Sequence, residues 1–191
     1  MVAIVMLATA GRAAGAIVQV TDPTLFANLT GSVTPVDFVA PPGGPGPIDP
    51  DVYAPLGLTL SCSAPGCPMF SKQSPAFVDG WGFMVPDNAG VAFNFDLGIH
   101  GFAYDAQHYG GQNIAASFFL GGSQVGSIAL QWPGGGPDGT YFLGWYTDFA
   151  FDRIVLNYAL VDNIYFQTVP GPSALGLIGI AAAHGTRRRR R

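Results

Sequence analysis

The sequence predicts an all-β protein: an antiparallel β-sandwich, jelly-roll-like, with one short N-terminal helix. Three observations carry this expectation. Short runs of aromatic and β-branched residues recur between turn signals over residues 17–168. Glycine (27 residues) and proline (16) are abundant and interleaved with those runs, which marks frequent turns. All twelve acidic residues are Asp and none is Glu. Asp bonds the backbone of turns, whereas Glu favours helices.

The elements follow in order. Ala16 to Val20 reads as a first strand. Thr21-Asp22-Pro23 then opens a short helix, with a capping oxygen and a proline in its first turn, and Leu25, Phe26 and Leu29 are expected to face the core. Asn28-Leu29-Thr30 matches a glycosylation sequon. Pro35 to Ala40 alternates as a strand, and the proline-rich stretch Pro41 to Asp51 is a loop, because its prolines lack amide donors. Within it, Asp49 and Asp51 have the Asp-x-Asp spacing of a weak calcium candidate, against the plainer reading that they solvate a turn.

Leu56 to Ser61 reads as the next strand. Cys62 and Cys67 flank a Pro-Gly turn, which in an exported chain predicts a small structural disulfide. A redox or metal role would need a second pair, and the sequence has only two cysteines.

From Val91 the alternation becomes regular. Val91, Phe93 and Phe95 form one strand, and Gly98 to Tyr104 a second. Ile114 to Leu120 and Ser123 to Leu130 flank Gly121-Gly122, a two-residue hairpin signal. Thr140 to Tyr146, Phe151 to Tyr158 and Val161 to Phe166 complete the set, with Trp145, Ile154, Leu156, Tyr158, Ile164 and Phe166 expected inside.

The two ends read as addresses. Val2 to Ala10 is apolar and leads to Ala14-Gly15-Ala16, an A-x-A cleavage pattern, so residues 1–16 are expected to be a signal peptide. At the other end, Ala174 to Ala183 are ten apolar residues in a row, followed by five arginines. As a helix the run spans roughly 15 Å, about half the hydrocarbon thickness of a bilayer. Such a segment is expected to pause in a membrane, with its arginines on the cytoplasmic side.

Six of the eight basic residues are Arg12 and the five terminal arginines. Residues 17–169 therefore carry two basic groups against twelve aspartates, a net charge of −10. So acidic a surface repels phosphate backbones and excludes nucleic acid as a partner.

Chemistry-bearing motifs are sparse. The sequence has no Gly-x-Ser-x-Gly elbow, no phosphate loop and no His-Glu-x-x-His. The Asp105-Ala106-Gln107-His108 stretch is a conceivable metal or acid–base pair, with His100 as a third group if a turn brings it round. No carboxyl pair stands out by spacing as a glycosidase dyad. Trp132, Tyr109 and Trp81 lie in glycine-lined stretches. Their flat apolar faces with polar edges suit stacking on sugar rings, against the alternative that they plug the core.

The order Val169, Pro170, Gly171, Pro172, then the Gly/Ala/Leu-rich segment, then Arg187, Arg188, Arg189, Arg190 and Arg191, resembles the PEP-CTERM sorting signal. The likeness covers residues 169–191, and Gly171 stands where that family usually has Glu. The stretches Tyr141 to Tyr158 and Val161 to Phe166 also resemble, loosely, the C-terminal part of β-sandwich domains that precede such tails.

The resemblance implies export across the inner membrane of a Gram-negative bacterium and recognition by an exosortase-type enzyme that cleaves near the proline motif. It further implies delivery through the periplasm to the cell surface or an exopolysaccharide matrix. The expected function is a non-enzymatic surface or matrix protein without a cofactor. The alternatives are a carbohydrate-binding module using the loop aromatics and a secreted hydrolase.

Overall fold

The structure is a computed structural model that describes residues 15–37, 46–62, 70–73, 81–84, 90–107, 115–129, 140–157 and 160–167. The strands are β1 (Ile17–Val20), β2 (Val33–Val36), β3 (Leu58–Cys62), β4 (Phe70–Gln73), β5 (Trp81–Met84), β6 (Val91–Gln107), β7 (Ala115–Leu120), β8 (Ser123–Ala129), β9 (Thr140–Leu156) and β10 (Leu160–Gln167). One helix, α1 (Pro23–Thr30), follows β1. The fold is the expected antiparallel all-β sandwich with a single N-terminal helix.

Its strands are joined in the order β4-β5-β10-β6-β9-β7-β8, with β1 on β9, β2 on β10 and β3 on β6. All the pairings are antiparallel. The first half of β6 pairs with β3 and with the second half of β9, which also pairs with β7. The second half of β6 pairs with β10 and with the first half of β9, which also carries β1. Two 17-residue strands thus run through both layers.

The sequence reading divides each of these long strands in two. The structure bends them instead, and the bend explains the division. Val91, Phe93 and Phe95 are buried at odd positions of β6, whereas Phe102, Tyr104 and Ala106 are buried at even ones. The parity reverses where the β6–β9 register breaks, between Asn94 and Gly101. In β9 the buried set likewise passes from Leu143, Trp145 and Phe151 to Ile154 and Leu156. A period-2 reading sees such a reversal as an end and a new beginning. At the corner, Gly98 lies against Ala150: an added Cβ would come to 3.3 Å from the Ala150 methyl.

The facing halves close on aromatic rings. Phe93 meets Phe102 at 4.8 Å between centroids, Phe95 meets Phe166 at 5.3 Å, and Phe118 meets Trp145 at 6.3 Å. Offset and edge-to-face pairs of this kind add to the area they bury. Trp145 is fully buried among them, as expected.

The helix starts as its sequence requires. The Asp22 carboxylate accepts from the amides of Thr24 (2.8 Å) and Leu25 (3.1 Å), and Gly31 ends the helix at φ 72°. Phe26 is buried on the outer face of the second layer, in a small cluster with Val20 and Ala103. Glycine makes room for the ring: a Cβ on Gly144 would sit 3.0 Å from Phe26 Cδ2 and 2.9 Å from the Ala103 methyl.

Leu25 is half-buried there, but Leu29 is 39% exposed, contrary to expectation. Thr30, one turn after Phe26, takes the inner position and donates its Oγ1 hydrogen bond back to Phe26 O at 2.8 Å. Phe26 and Thr30 share one face of an eight-residue helix, and Leu29 falls outside it.

Two strand bounds also move. β2 begins two residues before Pro35 and ends at Val36, with Asp37 outside it; residues 38–40 lie outside the described set. Ala54–Leu56 form a 3₁₀ turn, so β3 begins at Leu58. The Gly121-Gly122 hairpin is as expected, with φ of 55° and 80° at its two central residues.

Candidate functional site

The two ends of the sandwich differ. At one end β6 and β9 bend over, so chain continuity joins the layers. At the other end no strand passes between the layers. There Gln107 pairs with both Thr140 and Leu160, and Leu160 with Met84, in one layer. Cys62 pairs with Val91, Val91 with Leu156, and Ala116 with Leu156 in the other. At this end β6 and β8 therefore stop, β7 and β10 begin, and β9 both begins and stops.

That topology bears on the sugar-stacking residues. Tyr109 belongs to the segment leaving Gln107, and Trp132 to the segment entering Thr140, its paired neighbour. Both residues lie outside the described set. Trp81 opens β5, where its backbone pairs with Gln73. Cys67 and the sorting residues Val169 to Pro172 and Arg187 to Arg191 also lie outside the described residues.

Asp49 and Asp51 are exposed, and Asp49 Oδ1 accepts the Asp51 amide at 3.0 Å. The pair forms an Asx turn, and no group of three metal-ligating side chains occurs among the described residues.

Of the histidines singled out by the sequence, His100 is described. The His100 ring sits at the bend end, its Nδ1 3.1 Å from the carbonyl of Thr147. From there β6 runs straight to Gln107, a distance of about 23 Å at the usual strand rise. His108 lies outside the described residues.

Asp105 has different partners, all on β10. Its Oδ2 accepts from the Tyr165 hydroxyl at 3.1 Å and from Asn163 Nδ2 at 3.2 Å. A register shift between Asp162 and Ile164 lets Asn163 reach across. Burial raises the Asp105 pKa above the ordinary carboxyl value, and the two hydrogen bonds act in the opposite direction. The Tyr165 phenol is pushed upward by burial first, then by the charges of Asp105, Asp37 and Asp162 and by its bond to Asp105. The group ties β6 to β10. Asp162, directly opposite Asp105, is fully buried, with Oδ1 accepting the Asn163 amide at 2.8 Å.

The outer face of the first layer carries a row that sequence reading passes over. Thr59, Asn94, Arg153, Phe119 and Gln124 stand opposite one another on five adjacent strands. The adjoining row is Ser61, Ala92, Val155, Ser117 and Ser127. Arg153 lays its guanidinium over the Phe119 ring, 5.5 Å from the centroid. Thr59, Asn94, Arg153 and Phe119 each alternate with a buried neighbour; that outward half of the period was the available signal.

Among the described residues no helix is long and apolar enough to cross a membrane. No family model matches the chain, and no curated protein does. Among solved structures, the enzymatically active domain of tailspike protein 4 from bacteriophage CBA120 is similar over 58% of this chain, at 18% identity and a TM-score of 0.32. The match spans 18% of the phage chain, and a likeness at that level carries no functional argument. What the chain belongs to is thus an architecture, the antiparallel β-sandwich.

Proposed function

We propose that this chain is an exported, non-enzymatic protein of the cell surface or extracellular matrix, sorted by its C-terminal signal and associated with exopolysaccharide. The observation that carries the reading is the order of Val169-Pro170-Gly171-Pro172, a ten-residue apolar run and five arginines. The arrangement of the domain supports it. Gly15 lies against Asp148 and Phe149, and Gln167 accepts the His100 amide, so both ends of the sandwich leave it at the bends. A tether at that end holds the opposite end outward. An exosortase-type enzyme is the processing partner, with only a transient inner-membrane stage. Cys62 and Cys67 form a disulfide in the oxidising compartment, a reading supported by the lack of a free thiol among the described cysteines.

Mass spectrometry of both termini of the protein from its native host tests the proposal. The expected result is loss of residues 1–16 and of everything after the proline motif. Cytosolic protein with its arginine tail intact overturns it.

A second reading, a carbohydrate-binding module using Trp132, Tyr109 and Trp81, is favoured by one placement: the segments bearing Tyr109 and Trp132 spring from paired strand ends. Glycan-array binding lost in Trp132→Ala is its expected signature.

A further inference from the structure

We infer that the outer face of the first layer is a binding surface for a neutral, hydroxyl-rich polysaccharide, laid across the strands along the Thr59–Asn94–Arg153–Phe119–Gln124 row. The inference rests on the surface-protein reading for its setting, but it uses a site on the opposite face from the Asp105 cluster and residues other than the loop aromatics.

The row is continuous. Direct pairing links each member to the next, so side chains recur at the inter-strand spacing of about 4.8 Å. That repeat is of the order of one sugar unit. In the adjoining row Ala92 is buried and Ser61, Val155 and Ser117 are half-buried, whereas Ser127 and, in the main row, Gln124 are exposed, so the face is most open at its β8 edge.

The chemistry of the row is that of a sugar's equal parts of hydroxyl and C–H. Asn94 spends its Nδ2 on β3, donating to Thr59 O at 3.3 Å and to Ser61 Oγ at 3.2 Å. This fixes the amide and leaves its carbonyl oxygen to accept from a ligand. Arg153 has no carboxylate partner among the described residues, and its Nε is covered without a hydrogen bond. The Phe119 ring holds the guanidinium instead. Its remaining N–H groups are a fork of donors, the geometry that hydroxyl pairs accept. Phe119 supplies the flat apolar patch for C–H faces.

Charge selects a neutral chain. Neither row holds a carboxylate, and Asp152, next to Arg153, turns away to accept the Gly121 amide at 2.8 Å. The single guanidinium sits on a domain of net charge −10, which repels a polyanion at long range.

Affinity electrophoresis of the intact protein through gels containing a neutral glucan, a neutral galactomannan or a polyuronate tests this. Retardation is expected in a neutral gel, nearly independent of salt. Phe119→Ala and Arg153→Ala should each weaken it about tenfold, with the thermal melt checked in each variant. Gln124→Ala, at the exposed end of the row, should weaken it less and keeps the test open if the other two do not fold. Retardation only by polyuronate, its loss at high salt, equal binding by all three variants, or no retardation in either neutral gel overturns the inference. Binding here is independent of sorting: intact termini in the host with variant-sensitive binding would sink the proposed function alone. Processed termini with variant-insensitive binding would sink this inference alone.

Discussion

Tyr104 sits at the centre of the core, its ring 5.9 Å from that of Trp145, and its hydroxyl has no partner. Burial pushes the phenol pKa well above its usual range. A buried hydroxyl without a hydrogen bond forfeits its hydration, a loss of about 1–3 kcal/mol. Tyr104→Phe is therefore expected to raise stability by about 1 kcal/mol, read as a higher denaturant midpoint at unchanged slope.

Asp105 makes the converse case. Its folded pKa lies above the unfolded value, so the native state binds the proton more tightly. The ionised form then opposes folding, beginning at the ordinary carboxyl value of 3.8 and in full above the folded pKa. Asp105→Asn keeps the acceptor for Tyr165 and Asn163 but removes the charge. Its melting temperature should gain on the parent's as pH rises from 4 to 7, and a constant difference would contradict this origin. None of this was legible in the sequence, because the partners lie 58 and 60 residues away. The motif Asp105-x-x-His108 pointed to a local neighbour instead.

Elements were more legible than residues. Alternation located the strands, and Gly121-Gly122 located the hairpin, because both signals are local. The helix start was equally plain from Asp22 and Pro23. Its packing face was not, since that depends on where glycine leaves room in another strand. Gly144→Ala tests this coupling of α1 to β9: the methyl meets Phe26 and Ala103, and overpacking should cost about 1–3 kcal/mol. Combining it with Phe26→Ala should recover part of the loss, which a purely local effect on β9 would not allow.

At the scale of the molecule, alternation alone could not show that two strands serve both layers. The site followed the same division. Residues on the regular outward half of a strand, such as Asn94 and Phe119, became a row only once register placed them side by side. The loop aromatics were visible as a composition, and topology then gave two of them neighbouring points of departure.

The shared strands β6 and β9 leave no seam along which one layer can open while the other holds. Losing either layer's packing frees half of the same two hydrogen-bonded ribbons. Amide hydrogen exchange should accordingly find Phe93, Phe102, Trp145 and Ile154 exchanging together, with one opening free energy for both layers. Two well-separated protection classes, one per layer, would mean that the bends act as joints.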